Sequence, residues 1–296
     1  MKIGINTAVN FKGLVGFDMD LKSTCKKLRE IGYDCVDYAI GDYEEVNPYL
    51  IQDRKIWTEF FKEQARIING EGLTVSQTHG AFPTDLDPNN PRVFTPEVLE
   101  IHKKEIEATN LLNSKHIVIH PIHVEDSKDV YVKTNVKAFS QLTPTLKEFG
   151  VKNCVENMWA KNSQTNQFYA TGCSLPEDML TIINELNDND AFCACLDTGH
   201  LNILKIDVAD AVKKLGDKLE VLHVHDNLAN ADSHFPISFG STDWEKFAKA
   251  LKEVNYQGVF SLEFIFPRFR QFGKNAFIKY LEYAYETAKF VTDLVK

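Results

Sequence analysis

Eight short apolar runs recur along the 296-residue chain, and most end in a side chain able to bind a metal ion or carry a proton. The runs are Lys2–Asn6, Cys35–Tyr38, Thr74–His79, His116–His120, Lys152–Glu156, Phe192–Asp197, Glu220–His225 and Gly258–Glu263. They end in Asn6, Tyr38 (with Asp37 beside it), His79, His120, Glu156, Asp197, His225 and Glu263. A buried strand has no structural need for an ionisable residue at its C-terminal end. Six such endings in succession, from His79 to Glu263, read as one polar site assembled from many strands. Glu156, Asp197, His225 and Glu263 would offer three carboxylates and one imidazole to a single divalent ion. Mixed oxygen and nitrogen ligands suit Mn²⁺, Co²⁺, Mg²⁺, Fe²⁺ or Zn²⁺ and leave the choice among them open. Such an ion polarises a carbonyl or hydroxyl oxygen as a Lewis acid. Two carboxylates flanking a substrate carbon can take a proton from one face and return it elsewhere. Glu156 and Glu263, on the fifth and eighth runs, are the pair for that role.

The joint placement carries this reading, because a single glutamate at a strand end is ordinarily solvated or salt-bridged. His223 and His225 share a strand face, and His225 is taken as the ligand because it lies nearer the C-terminal end. His116 opens its run and belongs to the opposite end, while His123 lies beyond its run as a loop residue.

Helical patterns of suitable length separate the runs. Asp18–Ile31 puts Leu21, Cys25, Leu28 and Ile31 on one face, and Gly32 supplies a stop. Ile56–Asn69 places Trp57, Phe60, Phe61, Ala65 and Ile68 similarly. Thr95-Pro96-Glu97 is an N-cap followed by proline in the first turn, and that helix runs to about Leu112. Val130–Phe149, Pro176–Leu186, Val208–Leu215, Asp243–Val254 and Asn275–Val295 complete the set. Strand alternating with helix eight times implies parallel pairing through crossover helices. The expected fold class is α/β, a (β/α)₈ TIM barrel forming one domain over residues 1–296, with its site at the C-terminal face. Four connections on that face are long: Gly80–Thr95, Asn157–Leu175 with Trp159, Asp226–Thr242, and Phe264–Lys274 with Arg268 and Arg270. Long loops in compact domains are commonly functional, so these are candidates for a lid and a substrate pocket. Trp159 is placed to stack on a ligand ring or to cap the barrel, and Arg268 to hold a phosphate or carboxylate.

The net charge of −9, from 33 basic and 42 acidic residues, argues against a nucleic-acid partner. No apolar run approaches membrane-spanning length. The N-terminus enters strand pattern without a charged-then-apolar signal, so a cytoplasmic protein is expected. Four of six cysteines (Cys35, Cys154, Cys193 and Cys195) sit inside apolar runs and read as buried free thiols. The Cys193/Cys195 spacing lacks the second Cys/His pair of a structural zinc site. Nothing in the sequence excludes a homo-oligomer.

Val155–Asn157 (VEN), Asp197–Asn202 (DTGHLN), His223–Asn227 (HVHDN), Ala231–Gly240 and Ser261–Phe264 (SLEF) together resemble the xylose-isomerase-like barrel superfamily, and within it the sugar phosphate isomerase/epimerase group. The resemblance spans essentially the whole chain. It implies a metal-dependent isomerase or epimerase of carbohydrate metabolism, acting on a sugar or sugar derivative by carboxylate proton transfer through an enediolate. The implied metal ligands fall on Glu156, Asp197, His225 and Glu263, and the implied acid/base pair on Glu156 and Glu263. The superfamily also holds abasic-site endonucleases with three zinc ions, whose ligand set finds candidates in His79, His120, Glu156, Asp197, His200, His225, Asp232, His234 and Glu263. For an isomerase, His79, His120, Trp159, His200, Asp232, His234 and Arg268 become the expected substrate contacts. Against the nuclease stand the acidic net charge, the scarcity of Arg and Lys in the site loops, and the NMWAKN segment after Glu156. A dehydratase or lyase on the same metal, or a non-catalytic sugar binder, are the remaining alternatives.

Overall fold

The computed structural model describes residues 1–7, 20–41, 48–81, 86–87, 90–124, 127–264 and 273–296. Eight parallel strands form one sheet: β1 (Ile3–Asn6), β2 (Cys35–Ala39), β3 (Thr74–His79), β4 (His116–Val118), β5 (Lys152–Glu156), β6 (Phe192–Asp197), β7 (Leu219–His223) and β8 (Phe260–Leu262). Their order around the sheet is β7-β6-β5-β4-β3-β2-β1-β8. A parallel bridge between Val224 and Leu262 closes it, with Val224 N–H donating to the Ser261 carbonyl at 2.8 Å and Glu263 N–H to the Val224 carbonyl at 3.0 Å. β1 and β6 are buried along their whole length, as strands covered on both faces must be. Their continuous apolar character, rather than alternation, follows from that double burial.

The helices are α1 (Leu21–Ile31), α2 (Arg54–Gly70), α3 (Pro96–Leu111), α4 (Lys128–Ser140), α5 (Thr143–Phe149), α6 (Pro176–Leu186), α7 (Thr198–Ile203), α8 (Val208–Leu215), α9 (Trp244–Glu253) and α10 (Gly273–Val295). Thr95 caps α3 as expected, its hydroxyl accepting from Val98 N–H. The helix read as Val130–Phe149 is two helices. It breaks at Gln141–Leu142 because Pro144 has no N–H to continue the first helix's ladder and instead opens α5. The short helix α7 was not anticipated. It follows β6 without a loop, Asp197 being both the strand's last residue and the helix N-cap.

Strand ends also differ from the sequence runs. β4 stops at Val118, two residues before His120, and β7 stops at His223, two before His225. Within Asn157–Leu175, Trp159–Lys161 pairs antiparallel with Phe168–Ala170. All six cysteines are buried free thiols. No helix among the described residues is long and apolar enough to cross a membrane.

Candidate functional site

The C-terminal ends of the strands bring the site together in two linked halves. In the first, Glu156 at the end of β5 is almost fully buried. Its Oε1 lies 2.8 Å from His223 Nδ1 and its Oε2 2.9 Å from His120 Nε2. His79, ending β3, places its Nε2 2.8 Å from the same His120 nitrogen and its Nδ1 3.5 Å from Glu263 Oε1. Glu263 then reaches His223 Nδ1 with its other oxygen at 3.5 Å. His223 Nε2 faces Asp37 Oδ2 across the barrel at 3.3 Å.

The second half is built on Asp197. Its Oδ1 accepts the His200 backbone N–H at 2.6 Å, starting α7, and its Oδ2 lies 3.0 Å from His225 Nε2. Asn157 ties β5 to β6: its amide donates to the Asp197 carbonyl at 2.9 Å and its Oδ1 accepts Asp197 N–H at 2.8 Å. The Asn157 carbonyl lies 2.8 Å from His200 Nδ1, which must therefore carry the proton. That leaves His200 Nε2 facing Asp232 Oδ2 at 3.5 Å. The same Asp232 oxygen accepts the Trp159 indole N–H at 3.2 Å and lies 3.4 Å from His234 Nε2. His234 adopts a left-handed backbone, φ 43°, and its ring stacks on His225 at 3.7 Å. Gly199 passes so close under His225 that a Cβ there would sit 2.0 Å from the ring, so this position of the DTGH segment requires glycine.

Among the described residues, every ion-pair partner of Glu156, Asp197, Asp232 and Glu263 is a histidine. The electrostatics follow from that. Burial pushes Glu156 up, but the His223 and His120 imidazoles outweigh it and hold the carboxyl well below its usual range. For Glu263 burial prevails, with Asp197 and Glu156 adding to it, and the carboxyl is raised. Burial also opposes the charged form of His234, yet Asp232 and Glu263 raise it to about 9. His200 and His223 are raised too, against burial, His200 by Asp197 and Asp232 and His223 by Cys195 followed by Glu263 and Glu156. His79 goes the other way, lowered by burial and by His120 and His223.

The residues fit a divalent cation. His225 Nδ1, Asp232 Oδ1 and Asp37 Oδ1 are buried without a hydrogen bond, a costly state for polar atoms unless a ligand completes them. His79, His120 and Glu156 bring one donor atom each within 4.8 Å of one another, as do His200, His225, Asp232 and His234. Clustered carboxylates and imidazoles are a donor set for hard or borderline metal ions.

Of the expected residues, His79, His120, Glu156, Asp197, His200, His225, Asp232, His234 and Glu263 meet in this network, and Trp159 joins it through Asp232. Arg268 lies outside the described residues. The quartet taken as ligands divides: Glu156 and Glu263 meet at His223, whereas Asp197 pairs with His225. His223, passed over in favour of its neighbour two residues on, is the last residue of β7 and sits between the two glutamates. Asp37, Asn157 and Asp226 are further members missed as site residues. Asp226 fastens the loop after β7, accepting the Trp244 indole N–H at 3.0 Å and Gly240 N–H at 3.1 Å. The signal for Asn157 was its position just past a strand end, and for Asp37 an ionisable side chain inside an apolar strand run.

A relative from Methanocaldococcus jannaschii, itself uncharacterized, is 25% identical over 275 residues, covering 89% of this chain and 83% of its own. A probable endonuclease 4 of Staphylococcus saprophyticus is 28% identical over 189 residues, covering 59% of this chain and 60% of that protein. Among solved structures, a D-tagatose 3-epimerase-like protein superposes with a TM-score of 0.66 at 25% identity, covering 97% of this chain and 99% of the other. The sequence profile of one family matches residues 25–282, a span that includes every strand from β2 to β8 and every site residue above. By that match and by its closed eight-stranded architecture, the chain belongs to the xylose isomerase-like TIM barrel family.

Proposed function

We propose that the protein is a metal-dependent isomerase or epimerase of a sugar or sugar phosphate, with Glu156 and Glu263 as its proton-transfer pair. One observation carries the reading: two carboxylates, buried Glu156 from β5 and part-buried Glu263 just past β8, face a single imidazole at 2.8 and 3.5 Å, and among the described residues their ion-pair partners are all histidines. The D-tagatose 3-epimerase-like structure, similar over nearly the whole chain, supports it. The ion is assigned to Glu156, Asp197, His225 and Glu263, and His79, His120, Trp159, His200, Asp232, His234 and Arg268 are assigned to the substrate. When bound, a divalent cation stabilises negative charge on a substrate oxygen. Glu156, ionised, is suited to removing a proton alpha to a carbonyl, and Glu263, raised, to returning one on the opposite side. Return to the same carbon gives epimerisation of a ketose, whereas return to the adjacent carbon gives aldose–ketose isomerisation. His223, between the two, positions both carboxylates.

A second reading, a phosphodiesterase using more than one ion, is favoured by the convergence of His79, His120 and Glu156 away from the Asp197 half, and by the endonuclease-like relative. Turnover of a ketose panel in D₂O separates the two. The isomerase incorporates solvent deuterium at the reacting carbon, and Glu156→Gln and Glu263→Gln abolish that exchange even at metal concentrations that restore occupancy, which excludes loss of the ion as the cause. Turnover without deuterium incorporation, or cleavage of abasic DNA by protein holding three equivalents of zinc, would overturn the proposal.

A further inference from the structure

We propose that the opposite, N-terminal mouth of the barrel holds a separate site for a thiophilic divalent cation such as Zn²⁺, formed by His116, Cys154, Cys193 and Glu220. The four residues come from β4, β5, β6 and β7, which are consecutive neighbours in the sheet. Cys154 and Cys193 are direct register partners, both fully buried, and their sulfurs lie 3.1 Å apart, closer than unbonded sulfurs ordinarily pack. His116, Cys193 and Glu220 bring one donor atom each within 4.8 Å of one another. Glu220 Oε2 is 2.9 Å from His116 Nε2, and its Oε1 accepts from Lys152 Nζ at 2.6 Å.

This cluster is distinct from the rim. Cys154 and Cys193 lie two residues below Glu156 and Cys195 on the same two strands, which is about 6–7 Å of strand rise. Cys195, by contrast, groups with Glu156 and His223. Two thiolates, one imidazole and one carboxylate are a donor set for tetrahedral zinc. Charge supports the assignment. A divalent ion with two thiolates and one carboxylate carries a net negative charge, and the Lys152 ammonium hydrogen-bonded to Glu220 offsets it. Binding requires both thiols to lose their protons, which pass to solvent as the ion enters. A path exists, because the His116, Lys152 and Glu220 side chains are 25%, 27% and 31% exposed while the thiols behind them are buried. No pair of cysteines spaced for zinc signals the site along the chain; the barrel register assembles it.

Cobalt titration of the reduced, full-length protein tests the assignment, because a sulfur-to-cobalt charge-transfer band arises only where thiolate is a ligand. We expect that band in the wild type, retained in Asp197→Asn and Cys195→Ser, weakened in Cys193→Ser and lost when Cys154→Ser is combined with it. His116→Ala should weaken the cobalt affinity read from the band by about tenfold or more. Its part-exposed side chain makes it the deciding variant if Cys193→Ser does not fold. Absence of the band from folded wild type, its loss in Cys195→Ser but not Cys193→Ser, or unchanged affinity in His116→Ala would each overturn the proposal.

Discussion

Gly199→Ala is a one-methyl change whose consequences can be worked from the packing. The added Cβ would meet His225 Cε1 at 2.0 Å, where ordinary contact starts near 3.4 Å, so the ring must retreat by about 1.4 Å. Its retreat is resisted: His234 stacks on the ring at 3.7 Å, and the Thr198 hydroxyl holds the His225 backbone, donating to its carbonyl at 2.7 Å and accepting its N–H at 3.1 Å. Overpacking of this kind costs about 1–3 kcal/mol. For a chain of this size that lowers Tm by roughly 2–5 °C. The larger effect should fall on the metal, because a donor displaced by about 1 Å can cost on the order of a hundredfold in function. The assay pairs thermal unfolding with metal analysis after dialysis. Gly70→Ala is the control: nothing lies within 4 Å of its would-be Cβ at the end of α2, so it should leave metal content unchanged and stability equal or slightly higher. A Gly199→Ala protein with wild-type Tm and full metal content would refute both the packing argument and the assignment of His225 to the ion.

Asp197→Asn keeps an oxygen for the His200 N–H and so keeps the α7 cap, but it puts an uncharged amide opposite His225; metal affinity should fall by at least about tenfold with little change in fold, and unchanged metal content would remove Asp197 from the ligands. pH dependence gives another check on the metal-free protein. His234 is raised to about 9 from an ordinary 6.5, so its contribution to stability is complete below pH 6.5 and is lost as pH rises through about 9. His200 and His223, also raised, act with the same sign. The urea midpoint of chelated protein should therefore decline over that window, less steeply in His234→Asn; a flat profile would show that these imidazoles gain nothing from Asp232, Glu263 and Glu156.

Periodicity and strand-end chemistry were enough to identify eight strands, their alternation with helices, and the rim at which ionisable side chains gather. These are local properties: a run of buried residues, a cap such as Thr95, an aspartate or glutamate where apolar sequence stops. The break at Pro144 and the helix beginning at Asp197 were local too, and were missed because a continuous apolar pattern hid the first and a strand end hid the second. What spacing along one strand does not contain is which side chains meet across the barrel. His223 and His225 share a face in sequence, yet closure sends one to Glu156, Glu263 and Asp37 and leaves the other beside Asp197 and His234. Asp37 lies on β2, far from β7 both in the chain and around the sheet. Cys154 and Cys193 are 39 residues apart, and only the β5–β6 register sets their sulfurs side by side. The sequence determined the elements and the end of each at which chemistry is placed. Barrel closure and strand register decided which donors share a site, because they set distances between residues that no local pattern relates.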